Sequence, residues 1–307
     1  MKKLICCLLI TISTSVSAQS LELLVPYTPG GAADTVGRAL QKFYQKQYQQ
    51  SLTVINRPGA GGVIGTHQVL TRPADGNTLL LANAGSLLFN KIFYKNQPYD
   101  YSEFDIFGPY VQTPMALTVG NASVTSVNAF VELYHSNKKI TCGTSSASGA
   151  VIGKYILNTL GLRSAEVIIY KGSPEVVAAL IGKHIDCSFD NLSSQIQHHK
   201  NKNVNVIAVG SESTHPDVPE ATLYKTIVPN LVFYYWYGIA VPKAVDPAKR
   251  KSIADKFKNA YKDQEFQSTM NSLGLESTKG HQNTQAWITD QYQKFNRMRE
   301  ELGIAQQ

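Results

Sequence analysis

A buried strand that breaks at a Pro/Gly turn and restarts as a helix, Leu21 to Arg38 (LELLVPYTPGGAADTVGR), constrains this chain more than any other feature. An apolar strand feeding a helix through so short a turn belongs to α/β architectures. Gly30 and Gly31 let the backbone come close to a bound group, while the first amides of the following helix lack intrahelical partners. Such an end suits a carboxylate or a phosphate. An ordinary strand-to-helix turn carries the same pattern, so the rest of the chain must decide.

With 307 residues, 43% of them hydrophobic and only 17% charged, the chain is globular and long enough for about two domains. The first segment, MKKLICCLLITISTSVSA, has Lys2 and Lys3, an apolar stretch and small residues up to Ala18. It is expected to be a secretory leader cleaved before Gln19, because it is too short to span a membrane. Cys6 and Cys7 lack the small-residue context of a lipid-modified cysteine, so a soluble exported protein is expected rather than a lipoprotein. Loss of the leader lowers the formal charge by two from +7. The remaining lysines are scattered rather than clustered, which suits an acidic small molecule and argues against nucleic acid. Cys142 and Cys187 remain, each at the end of an apolar strand. In an oxidising compartment they pair if those strands are neighbours, and otherwise stay as two buried thiols.

Apolar runs alternate with helical patterns. Strands are expected near Leu21–Val25, Leu52–Asn56 and Thr78–Asn83, with helices after Gly31, after Gly61 and near Ser86–Tyr94. A second parallel set is expected near Ile140–Gly143, Val167–Ile169, Ile185–Phe189 and Val204–Val209. One of its helices opens at Ser173-Pro174-Glu175, where serine can cap, proline suits the first turn and the acid suits the dipole. Two long strand-like segments, Phe104–Val119 and Leu231–Val241, lie between the halves, and helices begin near Asp246, Gln264 and Asn283. Two crossings imply a hinge, and the last helices have only the first domain to pack on.

Catalytic and cofactor patterns fail on spacing. In NRPGAGGVIG (Asn56–Gly65) a dinucleotide fingerprint needs a third glycine at Ile64. In CGTSSASG (Cys142–Gly149) a nucleophile elbow needs glycine at Ala147. The S-x-x-K spacing of Ser136 and Lys139 has no supporting motif, and the histidines lack metal-ligand spacing. No cofactor and no metal are expected. An exported hydrolase using Ser145 or Ser148 is the competing reading, though neither serine has a recognisable base beside it.

What remains is a set of polar loops at strand ends, where open α/β sheets bind ligands. Thr144 to Gly149 precede a helix expected at Ala150–Leu160, as Pro29–Asp34 precede theirs. Asn83 to Ser86 and Asp190-Asn191 share the rim. Asp190 either accepts from a ligand hydroxyl or ammonium, or caps the next helix.

Together, VPYTPGGAADTVGR, NRPGAGGVIG, PADGNTLLLAN, PYDYSEF, YKGSPEVVAALIGKHID, HPDVPE and WYGIAVPKAV resemble the Bug family, extracytoplasmic receptors of tripartite tricarboxylate transporters, from about Leu21 to Gly303. The resemblance implies a type II periplasmic-binding-protein fold: two lobes, joined by a two-strand hinge, that close on a small organic carboxylate and deliver it to transporter membrane subunits. The implied division is a leader at 1–18, a discontinuous first lobe at 19–117 and 234–307, and a second lobe at 118–233, acting as a monomer. Carried over, Tyr27, Gly30, Gly31, Ala32 and Ala33 form the first carboxylate clamp, with Asn83 and Ser86 beside it. Ser145, Ser148, Gly149 and Ala150 close from the other lobe, and Asp190 holds the acidic rim position. Asp34 and Arg38 are a helix-start acid and its buttress. The chain departs from the family pattern at Ala147, Ala150, Gly153 and Ile169 and after Pro219, which removes hydroxyls near one end of the ligand. A same-fold receptor serving a sensor kinase is the nearer alternative.

Overall fold

The computed structural model describes residues 21–307 apart from 122, 136–138, 279, 282, 302, 304 and 307. The expected leader and most of the Ser136–Lys139 turn lie outside the described residues. The chain opens with β1 (Leu21–Val25), α1 (Ala32–Tyr48), β2 (Leu52–Asn56), α2 (Val63–Thr71), β3 (Thr78–Asn83), α3 (Asn90–Phe93) and β4 (Phe104–Val119). It continues through α4 (Val127–Tyr134), β5 (Thr141–Thr144), α5 (Ala147–Thr159), β6 (Glu166–Ile169), α6 (Ser173–Ile181), β7 (Cys187–Asn191), α7 (Leu192–Lys200), β8 (Asn205–Val209), β9 (Thr222–Leu223) and α8 (Tyr224–Ile227). It ends with β10 (Tyr234–Pro242), α9 (Pro247–Phe257), α10 (Gln264–Ser272), β11 (Glu276–Ser277) and α11 (Thr284–Glu301).

β1 pairs in parallel with β2 on one side and β3 on the other. β3 is apolar over Leu79–Ala82 and buried on both faces, as a central strand covered on both sides of the sheet must be. α1 presents Val36, Leu40, Phe43 and Tyr44 to the core at helical spacing, and Gly37 lets it approach Val25 closely. β10 runs antiparallel between β3 and β4. The sixteen-residue β4 then serves both halves: Phe104–Pro114 pairs with β10, and Met115–Val119 pairs antiparallel with β7 and with β8.

The second half differs from a uniform parallel set. β5 lies parallel between β6 and β7, but β8 joins the other edge of β4 in antiparallel sense. A strand as long as β4 has two edges beyond its β10 pairing, and β7 and β8 take one each. The terminal helices return to the first half. α9 and α10 pack on α1, while α11 lies against α3, β4 and the π-type turn Gly85–Phe89. Phe295 of α11 packs with Phe89 and Phe233, and Trp287 packs edge-on to Trp236 of β10.

Cys142 and Cys187 face each other across the β5–β7 ladder, with Cα atoms 4.5 Å apart, and are joined in a buried disulfide. Their pairing follows from strand adjacency, which their separation in sequence left open.

Candidate functional site

The β1–α1 turn is built as expected. Gly30 adopts φ +84°, and Gly31 precedes α1 as an N-cap with no side chain bonded to the helix end. The first α1 amides are therefore left for another acceptor. Behind them, Asp34 accepts from the Gly30 amide at 3.0 Å, Arg38 Nε at 2.9 Å and Asn56 Nδ2 at 3.0 Å. Burial pushes the Asp34 carboxyl up, but these donors outweigh it and hold the group below its ordinary value. Its contribution to stability is thus present above the unfolded carboxylate range and is lost as pH falls through the lowered folded value. Asp34 and Arg38 fix the turn from behind, and neither is among the residues lining the cleft.

Tyr27 Oη donates to Asn83 Oδ1 at 3.0 Å, and the Ser86 amide donates to the same oxygen at 3.0 Å. Two donors on Oδ1 fix the amide orientation, so Nδ2 is the free end, and it is buried without a partner. An unpaired buried donor is costly, and a ligand oxygen would satisfy it.

Across the cleft, Ser146 caps α5, its Oγ accepting from the Gly149 amide at 3.3 Å. The helix therefore starts at Ala147, three residues earlier than expected, because Ser146 takes the capping role and draws Ser148, Gly149 and Ala150 into the first turn. Ser145, ahead of the cap, donates to Asp190 Oδ1 at 2.8 Å. Ser173 does not cap α6: Gly172 holds that position, and the Ser173 hydroxyl donates to Asp190 Oδ1 at 3.2 Å. Asp190 does not cap α7 either, since the N-cap is Asn191. From β10, Tyr237 Oη donates to Asn191 Oδ1 at 2.7 Å, while Tyr235 reaches the Phe189 carbonyl at 3.4 Å. Burial raises the hydroxyl pKa of Tyr27, Tyr235 and Tyr237, so all three remain neutral donors.

These groups face one narrow cleft of about 20 Å³. Tyr27, Gly31, Ala32, Ala33, Asn83 and Ser145, all expected from the sequence, line it. Gly30 instead opens on an adjoining groove between α1, α6 and α7. Ser86 is buried behind Asn83, Ser148, Gly149 and Ala150 lie within α5, and Asp190 is fully buried beneath Ser145 and Ser173. Sequence reasoning missed Thr28, Tyr235 and Tyr237, and gave Ser173 only a capping role. The two-residue alternation of tyrosines in YYWYG, with Trp236 turned to the other face, was the available signal. Gly153 has the Phe189 ring where its side chain would be, which excludes a larger residue there. No lysine or arginine lines the cleft, and no cluster of metal-ligating side chains occurs among the described residues.

The walls touch. Thr28 Oγ1 donates to Glu175 Oε2 at 3.0 Å, and a side chain on Gly31 would begin 3.3 Å from Pro174. A cleft at strand ends, lined by hydroxyls, amides and other uncharged side chains, is the arrangement of a ligand-binding site in an α/β protein. The chain belongs to the tripartite tricarboxylate transporter family receptors, whose family model matches residues 36–304; these are substrate-binding receptors, not enzymes. BugT of Bordetella pertussis is 29% identical over 239 residues, 75% of this chain and 72% of its own length. The periplasmic binding protein BugD shares 25% identity and superimposes with a TM-score of 0.84 over 94% of this chain and 99% of its own. Rpa4515 of R. palustris, solved with adipate, shares 21% at a TM-score of 0.84, covering 94% of this chain and 98% of its own. MatC of Rhodopseudomonas palustris, solved with malate, shares 16% at 0.80, covering 91% and 98%. No described helix is long and apolar enough to cross a membrane.

Proposed function

We propose that this chain is a periplasmic receptor, exported by a leader cleaved after Ala18, that captures a small organic carboxylate and delivers it to the membrane subunits of a tripartite tricarboxylate transporter. One observation carries the reading: the uncapped α1 N-terminus and the orphan Nδ2 of Asn83 converge on a cleft whose other walls are hydroxyls and amides. Helix-end amides and fixed dipoles hold an anion without needing a cation. Adipate and malate in neighbours of the same fold support the ligand class.

The receptor works as a monomer with two lobes, 19–117 with 234–307 and 118–233, and β4 and β10 form the hinge between them. Closure brings Tyr27, Gly31, Ala32, Ala33 and Asn83 onto one end of the ligand and Ser145, Ser173 and Asn191 onto the other. Binding removes water from the anion and replaces it with oriented amides, and the closed shape is the signal read by the membrane subunits.

The refolded chain, stripped of carried ligand, is screened by thermal shift against dicarboxylates, tricarboxylates, aromatic acids and acidic amino acids. A stabilising acid recovered with unchanged mass is expected, since a ligand that binds only the native state raises its stability. A panel that leaves the melting temperature unmoved overturns the reading. Asn83→Asp, which replaces the free donor by a charge facing the anion, is expected to weaken the best acid at least about tenfold, the scale of one lost charge-assisted hydrogen bond. Calorimetric titration checks this, and unaltered affinity removes Asn83 from the site.

A further inference from the structure

Asp190 is fully buried and unevenly partnered. Its Oδ1 accepts from Ser145 Oγ at 2.8 Å, Ser173 Oγ at 3.2 Å, and the Asn191 amide and Nδ2 at 2.8 Å each. Its Oδ2 has no partner. The four donors on Oδ1 hold an ionised carboxylate in place, and the unpaired Oδ2 is the oxygen left open to take a proton.

Among the described residues no cation compensates the Asp190 charge. Tyr27 from the β1–α1 turn and Tyr235 and Tyr237 from β10 are the ionisable groups that face Asp190, and burial keeps all three neutral. Glu175, in the first turn of α6, directs its carboxylate to Thr28 instead. β4 pairs with β7 through Met115–Val119, and β5 flanks it through Cys142 and Gly143; neither stretch carries an ionisable side chain apart from the disulfide-bonded cysteine. Lys154 of α5 turns away to the carbonyls of Arg163 and Ala165, and the basic end of α7 (His198, His199, Lys200) is its last turn, remote from Asn191.

A carboxylate seated against Ser145, Ser173 and Asn191 therefore sets a second negative charge beside Asp190 in a site built only of dipoles. Like charges sharing a buried site cannot both persist, and the carboxyl with the orphan oxygen is the one able to take a proton. We propose that this receptor captures its carboxylate ligand together with one solvent proton, which settles on Asp190 Oδ2. The proposal rests on the carboxylate-receptor reading. The proton cancels the repulsion and turns the orphan acceptor into a donor, with no other bond made or broken.

Burial already raises the Asp190 carboxyl above its ordinary value, with the Ser145, Ser173 and Asn191 donors acting against it. Ligand charge acts in the same direction as burial. Between the pKa of the free and of the liganded protein, binding takes up a proton, so affinity falls as pH rises.

The test is calorimetric titration of the refolded chain with malate, adipate and the strongest stabiliser from the acid panel. It runs from about pH 6.5 to about pH 8.5, where the two named acids stay ionised, in two buffers of different ionisation enthalpy. Buffer-dependent heats showing uptake of up to about one proton per ligand are expected, with Kd rising by up to about tenfold per pH unit. Asp190→Asn is expected to abolish both the uptake and the slope. Saturable binding with no proton uptake and a flat Kd overturns the proposal while leaving the receptor reading intact. Absence of binding by every acid overturns the receptor reading and the proposal with it. Should Asp190→Asn fail to fold, the buffer-dependent heats of the unaltered protein decide the matter alone.

Discussion

Cys142→Ala combined with Cys187→Ala is expected to lower stability by about 4 kcal/mol, the loop-closure entropy for a bridge whose ends lie 45 residues apart. For a chain of this size that is a fall of about 8 °C in melting temperature, taking roughly 2 °C per kcal/mol. The bond ties adjacent strands of one ladder, so it constrains the unfolded chain without having to hold distant surfaces together. Both sulfurs are buried, so reductant acts on the native protein slowly and chiefly through opening. Thermal unfolding of the oxidised, reduced and double-alanine proteins checks this. A melting temperature indifferent to complete reduction would sink the claim that the bond stabilises the fold.

Gly172→Val is expected to weaken carboxylate binding by about 10- to 100-fold, the equivalent of 1–3 kcal/mol of overpacking. Gly172 has φ −174° and ψ 168°, extended backbone that valine adopts without strain. What excludes the side chain is the opposite wall: its Cβ would fall 2.0 Å from Thr28 Oγ1 and 3.2 Å from Thr28 Cβ. The clash joins segments that, in the proposed receptor, separate on opening, so it acts on closure rather than on folding. The unliganded variant is expected to melt near the parent temperature and to scatter X-rays with a larger radius of gyration. Adding Thr28→Ala removes the 2.0 Å contact and is expected to restore much of the affinity. Parent-like affinity in Gly172→Val alone would mean that the Thr28–Gly172 contact plays no part in capture.

Much of this protein was legible in its sequence because the signals were local. The β1–α1 turn is specified by Gly30 and Gly31, the strands β1 to β4 by apolar runs of the right length, and the uncapped start of α1 by the absence of a capping side chain at Gly31. The proline-opened helices α6 and α9 were likewise written in neighbouring residues.

Other features depended on partners far away in the chain. Ser146 rather than a later residue caps α5, and Ser173, the first residue of α6 behind the Gly172 cap, donates its hydroxyl to Asp190, because a buried carboxyl must collect donors from whatever packs around it. Tyr235 and Tyr237 enter the cleft only because β10 lies between β3 and β4, a pairing that no neighbouring residue announces. The sequence alone determined the α/β class, the anion-suited turn and the order of the elements, all of which follow from short-range backbone chemistry. Only the tertiary structure decided that Cys142 meets Cys187, that β8 joins β4, and that Asp190 is buried with one oxygen unpaired. Each of these is a matter of which distant strands become neighbours, and burial and pairing are properties of that packing rather than of any segment.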